Sequence, residues 1–233
     1  MRTGIIIALT TLLIGCNQII GERGNDERIT ETYEVEEFNR IEISGAFNII
    51  LTPSNDQIVK LEVDDNLVKF IDIEVRGNKL YVETDRRLDS RGGINVKIPV
   101  KDLKGLSSSG ASNIRTTDVI ISNSLKFDLS GAGKMELELD AENVKIDLSG
   151  AGLVYLEGAA KLLDVDMSGA GSLEADALEA EDCTIDISGV GNAVVNVTGT
   201  LEAQVSGLGN VEYVGNPKSV KGDVSGIGEV NRK

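Results

Sequence analysis

Two stretches of nine residues, 19 positions apart, decide the fold of this chain. Residues 125–133 have the sequence LKFDLSGAG, and residues 144–152 have the sequence VKIDLSGAG. In both, apolar residues occupy every second position, and both end in Ser-Gly-x-Gly, where x is any residue. Alternation of period two predicts a strand with one buried face. The glycines that follow predict a corner after that strand.

This unit repeats along the C-terminal half of the chain. The tetrapeptide begins at Ser130, Ser149, Ser168, Ser188, Ser206 and Ser225, and a variant begins at Ser109. From Ser130 onward, consecutive serines are 18 to 20 residues apart. Apolar positions lie one, three and five residues before each serine, and five, seven and nine residues after it. The position directly before the serine holds Leu129, Leu148, Met167, Ile187, Val205 and Val224, and the ninth position after it includes Ala177.

The repeat predicts a right-handed parallel β-helix, a solenoid with about 19 residues per coil. One such coil cannot pair its own backbone or bury its inward side chains, but coils stacked about 4.8 Å apart do both. The hand follows from the general preference for right-handed parallel crossovers. The corner glycine is explained either by a positive φ or by a close backbone approach, and the serine hydroxyl is expected to bond to nearby backbone. A β-propeller blade needs about 40 residues, which is too many.

The preceding part of the chain predicts a more irregular β portion. Residues 33–106 alternate in short runs such as 41–44 and 94–98, with a tight hairpin-type turn at 76–79 and a single helical turn at 65–70. We therefore divide the body into an N-terminal β portion, residues 33–106, and a Ser-Gly-x-Gly repeat solenoid, residues 107–233.

The first 16 residues predict a lipoprotein signal peptide. Arg2 is followed by an uncharged, largely apolar run, residues 3–15, and then by Cys16. This run is too short for the roughly 20 residues that span a bilayer. The sequence LIGC at 13–16 resembles the lipobox of bacterial lipoproteins, which implies cleavage before Cys16 and acylation of that residue. Several acyl chains on one residue anchor a protein stably in a membrane.

Residues 17–32 are rich in glycine and charge and show no sustained period, which predicts a flexible tether. Asn17 does not resemble the aspartate that retains lipoproteins at the inner membrane, which favours the outer membrane, with the face, periplasmic or surface, left open. The chain carries a net charge of −15. This charge argues against nucleic acid as a partner, since phosphate contacts need clustered Lys and Arg.

One outward position of the repeat is acidic. Two residues before the serine stand Asp128, Asp147, Asp166 and Asp186, and stacking places them in one column. Like charges on neighbouring strands repel. The column therefore either binds calcium or a cationic partner, or is a solvated face balanced by Lys126 and Lys145. The second interpretation is favoured because calcium needs 6–8 oxygens and no calcium-loop motif is present.

Residues for catalysis are not indicated. The chain has no histidine, so the lone Cys183 of the mature chain lacks a base, and its place in an apolar column predicts a core residue. Repeated Ser-Gly-x-Gly lacks the context of a nucleophile elbow or a phosphate loop. Arg86, Arg87 and Arg91 form the only basic cluster, which predicts a loop. We expect no enzyme activity, no cofactor and no metal.

Three segments resemble the GIN-domain family, a domain of unknown function assigned to the heads of autotransporter adhesins. They are residues 38–51, residues 94–99 with 106–112, and the repeated Ser-Gly-Ala-Gly. The resemblance covers roughly residues 33–232. It implies a β-helical fold and an adhesive role, and it supplies no catalytic residues.

The expected function is that of a lipid-anchored envelope protein whose repetitive flank binds a protein or glycan. One alternative is a structural envelope component without a specific ligand, and a second is a polysaccharide-active β-helix enzyme. The oligomeric state is open. The terminal coil near residues 228–233 leaves end-to-end pairing open, and Arg232 and Lys233 are candidates for blunting that edge.

Overall fold

The computed structural model describes residues 21–233, and 67% of these residues are in strands. Strands and one short 3₁₀-helix, η1 (Asp65–Phe70), make up the regular structure of this part. In chain order the strands are β1 (Glu22–Arg23), β2 (Arg28–Glu34), β3 (Arg40–Ser44), β4 (Asn48–Pro53), β5 (Ile58–Asp64), β6 (Asp72–Arg76), β7 (Lys79–Glu83), β8 (Leu88–Asp89), β9 (Asn95–Val100), β10 (Gly105–Ser108), β11 (Asn113–Thr116), β12 (Ile120–Leu129), β13 (Lys134–Leu148), β14 (Leu153–Met167), β15 (Ala170–Ile187), β16 (Val190–Val197), β17 (Thr200–Val205), β18 (Leu208–Gly215), β19 (Ser219–Val224) and β20 (Val230–Arg232). No helix within residues 21–233 has the length and apolarity to cross a membrane.

The chain winds into a β-solenoid of about seven turns, as the repeat predicts. Strands β12 to β15 lie side by side and parallel, so that Leu129 is next to Leu148, Leu148 next to Met167, and Met167 next to Ile187. None of these four residues is more than 4% exposed. Each coil therefore adds one rung to a shared aliphatic core and pairs its backbone with the coils on either side.

The predicted core position at Ala177 is wrong. Ala177 is exposed, and the next residue, Leu178, is fully buried in its place. The register between β14 and β15 shifts after Tyr155, so that Gly158 pairs with Leu178. This coil contains one more residue than the coil before it, and a single inserted residue moves the following side chains to the opposite face of a strand.

The N-terminal portion belongs to the same stack, although its order in the stack differs from its order in the chain. Strand β7 lies beside β3, and β3 lies beside β10. Likewise β9 lies beside β4, and β4 beside β11. The predicted hairpin joins β6 to β7, with Arg76 paired to Lys79 and Gly77 at φ 68°. The predicted helical turn is η1.

The predicted tether, residues 17–32, is wrong for the part that the structure describes. Strand β1 pairs with β8, and β2 pairs antiparallel with β5, which itself pairs antiparallel with β9. The Arg28 guanidinium donates hydrogen bonds to Glu62 and to the carbonyl of Gly93. Strands β1 and β2 are held by backbone pairing and charge at the edge of the fold, so they lack the apolar period that marks a buried strand. Strands β1, β2 and β5 and the helix η1 lie at this end of the stack, next to β8 and β9, and we call them the cap.

Candidate functional site

The structure brings the four predicted aspartates into one outward column. Asp128 pairs with Asp147, Asp147 with Asp166, and Asp166 with Asp186 in neighbouring parallel strands. We call this set the acidic column. It runs from half-buried Asp128 and Asp147 to exposed Asp166 and Asp186. Because the residues on either side of each aspartate point into the core, its carboxylate faces solvent.

Two lysines pair with Asp147, the second aspartate of the acidic column. Lys126 Nζ lies 2.6 Å from a carboxylate oxygen of Asp147, and Lys145 Nζ lies 3.3 Å from Asp147 and 3.2 Å from Asp164. Burial alone would raise the pKa of Asp147. The hydrogen bond from Lys126 and the charges of both lysines outweigh burial, so this pKa lies below its ordinary value of 3.8.

The exposed end of the acidic column, formed by Asp166 and Asp186, is negatively charged. Within residues 21–233, no Lys or Arg forms an ion pair with Asp166 or Asp186. In the same part of the chain, no group of three or more His, Cys, Asp or Glu residues is arranged to hold a metal ion. Both interpretations of the column, a site for calcium or a cationic partner and a solvated face, stay hypotheses, and the solvated face is the favoured one.

The second residue of each Ser-Gly-x-Gly corner must be glycine because the backbone of the neighbouring coil leaves no room for a side chain. A Cβ atom at Gly150 would clash with the carbonyl oxygen of Gly131, and one at Gly169 would clash with that of Gly150. Neither Gly150 nor Gly169 has a positive φ. Of the two predicted reasons for a corner glycine, close backbone approach is therefore the one that applies at these corners.

The serine of the corner also bonds to the preceding coil. The Ser109 hydroxyl donates to the carbonyl of Ile43 over 3.3 Å, and the Ser130 hydroxyl donates to the carbonyl of Ser108 over 3.4 Å. The predicted hydrogen bond to backbone is thus confirmed for these two residues. It crosses between coils and so contributes to their stacking.

A second outward column was missed by the sequence analysis. The third residue of the corner points to solvent, and stacking aligns Ala170 with Val190, Val190 with Leu208, and Leu208 with Ile227. The exposed fraction is 54% at Val190, 50% at Leu208 and 74% at Ile227. We call the set the apolar ridge, which comprises Ala132, Ala151, Ala170, Val190, Leu208 and Ile227. The signal was present, because the residue between the two glycines is apolar in all six corners.

The acidic column and the apolar ridge lie on either side of the Ser-Gly corner along the stack. In each coil the two positions are four residues apart in the sequence, as are Asp166 and Ala170. An exposed apolar strip of this kind is characteristic of a surface that contacts a partner.

The sequence of this part of the chain also matches a protein family. The family described as "Putative auto-transporter adhesin, head GIN domain" matches residues 37–217.

This chain belongs to the GIN-domain family. The match includes both the N-terminal portion and the repeats, and it confirms the resemblance drawn from the sequence. No curated protein is a significant match to the sequence of this GIN domain.

Solved structures share the fold of this GIN domain. A putative adhesin from Bacteroides fragilis NCTC 9343 is 26% identical, with a TM-score of 0.87 over 91% of this chain and 100% of that one. A putative adhesin from Parabacteroides distasonis ATCC 8503 is 23% identical, with a TM-score of 0.73 over 91% and 99% of the two chains. A putative lipid binding protein from the same strain is 20% identical, with a TM-score of 0.72 over 91% and 98%. The family and the two adhesins are described by adhesion and not by an enzymatic reaction.

The two cysteines singled out by the sequence have different standings in this GIN domain: the structure describes Cys183 and does not describe Cys16. Cys183 is 2% exposed, and burial, followed by the charge of Asp164, raises the pKa of its thiol to about 12. It is a core residue, as its column predicts. Cys16, the predicted lipidation site, lies outside the described residues.

The basic cluster belongs to the loops around the cap of the GIN domain. Arg86 forms an ion pair of 2.8 Å with Asp85, and its guanidinium lies 4.3 Å from the ring centre of Phe70. Arg91 lies 3.4 Å from Asp26. Arg86 and Arg91 are thus engaged with nearby acids, and neither forms an ion pair with the acidic column.

Proposed function

We propose that this chain is a lipid-anchored protein of the cell envelope whose solenoid is a non-catalytic, adhesin-like binding module for a protein or a glycan. The observation that carries the proposal is the exposed flank formed by the acidic column and the apolar ridge, which lie on either side of the Ser-Gly corner in each coil. Both columns repeat once per coil, about every 4.8 Å. A flank of this kind suits an extended ligand that makes the same contact with successive coils.

The chemistry of the flank favours a ligand with cationic and apolar groups. Asp166 and Asp186 are exposed and attract positive charge. Val190 and Leu208 offer apolar area whose burial is worth roughly 25 cal/mol per Å². A basic, apolar protein segment or an amino-sugar polymer combines these features. The adhesin descriptions of the family and of the similar structures agree with a binding role.

A binding experiment tests the flank directly. The chain from residue 17 onward, which retains every described residue, is applied to a glycan array and to a panel of envelope and host-surface proteins. We expect a ligand whose binding is lost when Asp166→Lys and Asp186→Lys are combined. The control combines Asp140→Lys with Glu179→Lys, which makes the same change in charge at exposed residues of a different face.

The outcomes separate the alternatives. If the wild-type chain binds none of the probes, the protein fits a purely structural envelope component, and the proposal is wrong. If the control variant loses binding as well, net charge and not the flank is responsible. Cleavage of a polysaccharide in a matched panel would support the second alternative, an enzyme.

The proposed anchor has its own test. Cells that express the full chain are grown with a radiolabelled fatty acid and then separated into inner and outer membranes. We expect label in the wild-type protein at the outer membrane and none in the Cys16→Ser variant. An unlabelled wild-type protein would contradict lipidation, and a labelled inner-membrane protein would contradict the outer-membrane location.

A further inference from the structure

The two ends of the stack differ in how their core is closed. At the first coil, β5 and β2 continue the sheet in antiparallel fashion, so that core residues such as Val59 and Leu61 are fully buried. At the other end, β19 pairs with β17 on one side and with no other strand among residues 21–233. Val220 is 41% exposed and Val224 37% exposed.

These two valines are core positions that lack a covering coil. In the coil before, Leu201 and Val205 hold the same positions and are at most 1% exposed. Arg232 and Lys233, the charged residues expected to cover this edge, do not cover β19. Arg232 donates to the carbonyl of Gly215, and Lys233 lies 3.2 Å from Asp176, so both side chains are directed to earlier coils. An uncovered strand edge with apolar residues is a template for pairing with another strand.

The sequence of this edge is complementary to itself. Residues 219–225 read SVKGDVS, which is symmetric about Gly222 apart from the exchange of Lys221 for Asp223. In an antiparallel pair of two such strands centred on Gly222, Val220 lies opposite Val224 of the second copy. Lys221 lies opposite Asp223 of the second copy. Opposite charges and apolar pairs at facing positions both stabilise a sheet.

This register is the favoured one. A shift of two residues in one direction places Lys221 opposite its own copy, and a shift in the other direction places Asp223 opposite its own copy. Both juxtapose like charges, which is destabilising. A shift of one residue places valines opposite charged residues of the other face. The pairing centred on Gly222 also keeps Val220, Gly222 and Val224 on the core side, so the aliphatic interior continues into the second molecule.

We propose that two copies of this chain associate end to end by antiparallel pairing of β19, with a two-fold axis at Gly222. Such a contact is isologous, because each copy offers the same surface. It is independent of the ligand proposed for the flank. Strand β1, the first strand of the described residues, lies with the cap at the opposite end of the stack from the pairing end.

Charge exchange tests the pairing and its register. The chain from residue 17 onward is studied by sedimentation over a range of concentrations. We expect a reversible dimer that Lys221→Asp or Asp223→Lys alone weakens about tenfold, because each change creates two like-charge pairs. The double variant, which exchanges the two charges, restores dimerisation. A wild-type chain that stays monomeric at its solubility limit would overturn the proposal, and so would a double variant weaker than both single variants.

A cross-linking experiment gives an independent reading. Lys221→Cys and Asp223→Cys are exposed substitutions, and the native Cys183 is buried. We expect oxidation to yield a disulfide-linked dimer when the two variants are mixed and little from either variant alone. Equal cross-linking of each single variant with itself would show a different register and would contradict the pairing centred on Gly222.

Discussion

The backbone of Gly131 lies so close to Gly150 in the next coil that a Cβ atom on Gly150 would overlap the Gly131 carbonyl oxygen. In the same corner, a Cβ on Gly152 would lie 3.2 Å from Leu148 Cδ1 and 3.4 Å from the Gly133 carbonyl oxygen. The two glycines of one tetrapeptide therefore meet different constraints. The first is fixed by backbone, which cannot move without separating the coils, and the second mainly by a side chain that can adjust.

We expect Gly150→Ala to lower the free energy of unfolding by about 1–3 kcal/mol, the usual cost of overpacking. Gly152→Ala should cost less than about 1 kcal/mol, because the Leu148 side chain can move. Urea denaturation followed by circular dichroism measures both. Equal losses in the two variants would show that close backbone approach does not determine the first glycine.

The thiol of Cys183 should be unreactive toward thiol reagents in the folded protein. The thiol is buried, and its pKa of about 12 leaves very little thiolate at neutral pH. In the chain from residue 17 onward, Cys183 is the only cysteine. We expect no reaction with a thiol-specific reagent at pH 8 in buffer and complete reaction in denaturant. Rapid labelling of the native chain would mean that this coil opens readily.

Asp147 should contribute to stability in a pH-dependent way. Its folded-state pKa is lowered, so its contribution is present above its ordinary pKa of 3.8 and is lost as the pH falls through the lower folded value. We expect Asp147→Asn to be less stable than the wild type at pH 7, with the difference shrinking as the pH falls below 3.8.

Thermal unfolding between pH 2 and pH 7 measures this difference. Asp166→Asn is the matched control, because Asp166 occupies the same column and has no ion pair among the described residues. A difference between wild type and Asp147→Asn that is the same at every pH would contradict the role of the two lysines.

Calcium should not stabilise the protein. The ammonium group of Lys126 lies 2.6 Å from Asp147 in the acidic column and holds the position that a cation would need there. A calcium site also needs 6–8 oxygen ligands. We expect the unfolding temperature to be unchanged at millimolar calcium, with magnesium as the control for ionic strength. A rise with calcium alone would show that the column binds it.

The acidic column was predictable because the repeat places each aspartate at a fixed distance from its serine. Asp128, Asp147, Asp166 and Asp186 could therefore be aligned without coordinates. The burial of Leu178 in place of Ala177 could not, because a one-residue insertion has several possible positions within a coil. Only the pairing of β14 with β15 places it after Tyr155.

The pairing of β2 was hidden for a different reason. An edge strand is held by backbone hydrogen bonds and charges such as Arg28 with Glu62, and these leave no periodic pattern in the sequence. The glycines and charges of residues 17–32 therefore predicted a linker, because the sequence does not show that β5 is the partner strand of β2.

The amino-acid sequence by itself determined that this chain is a solenoid and which residues stack in its columns. A regular spacing of apolar residues and glycines is enough for that, because each coil interacts with its neighbours in the same way. Only the tertiary structure decided that β7 lies beneath β3, that the cap closes the first coil, and that β19 is left uncovered. Those features depend on contacts between distant, non-repeating segments, and no local pattern in the chain encodes which of these segments meet.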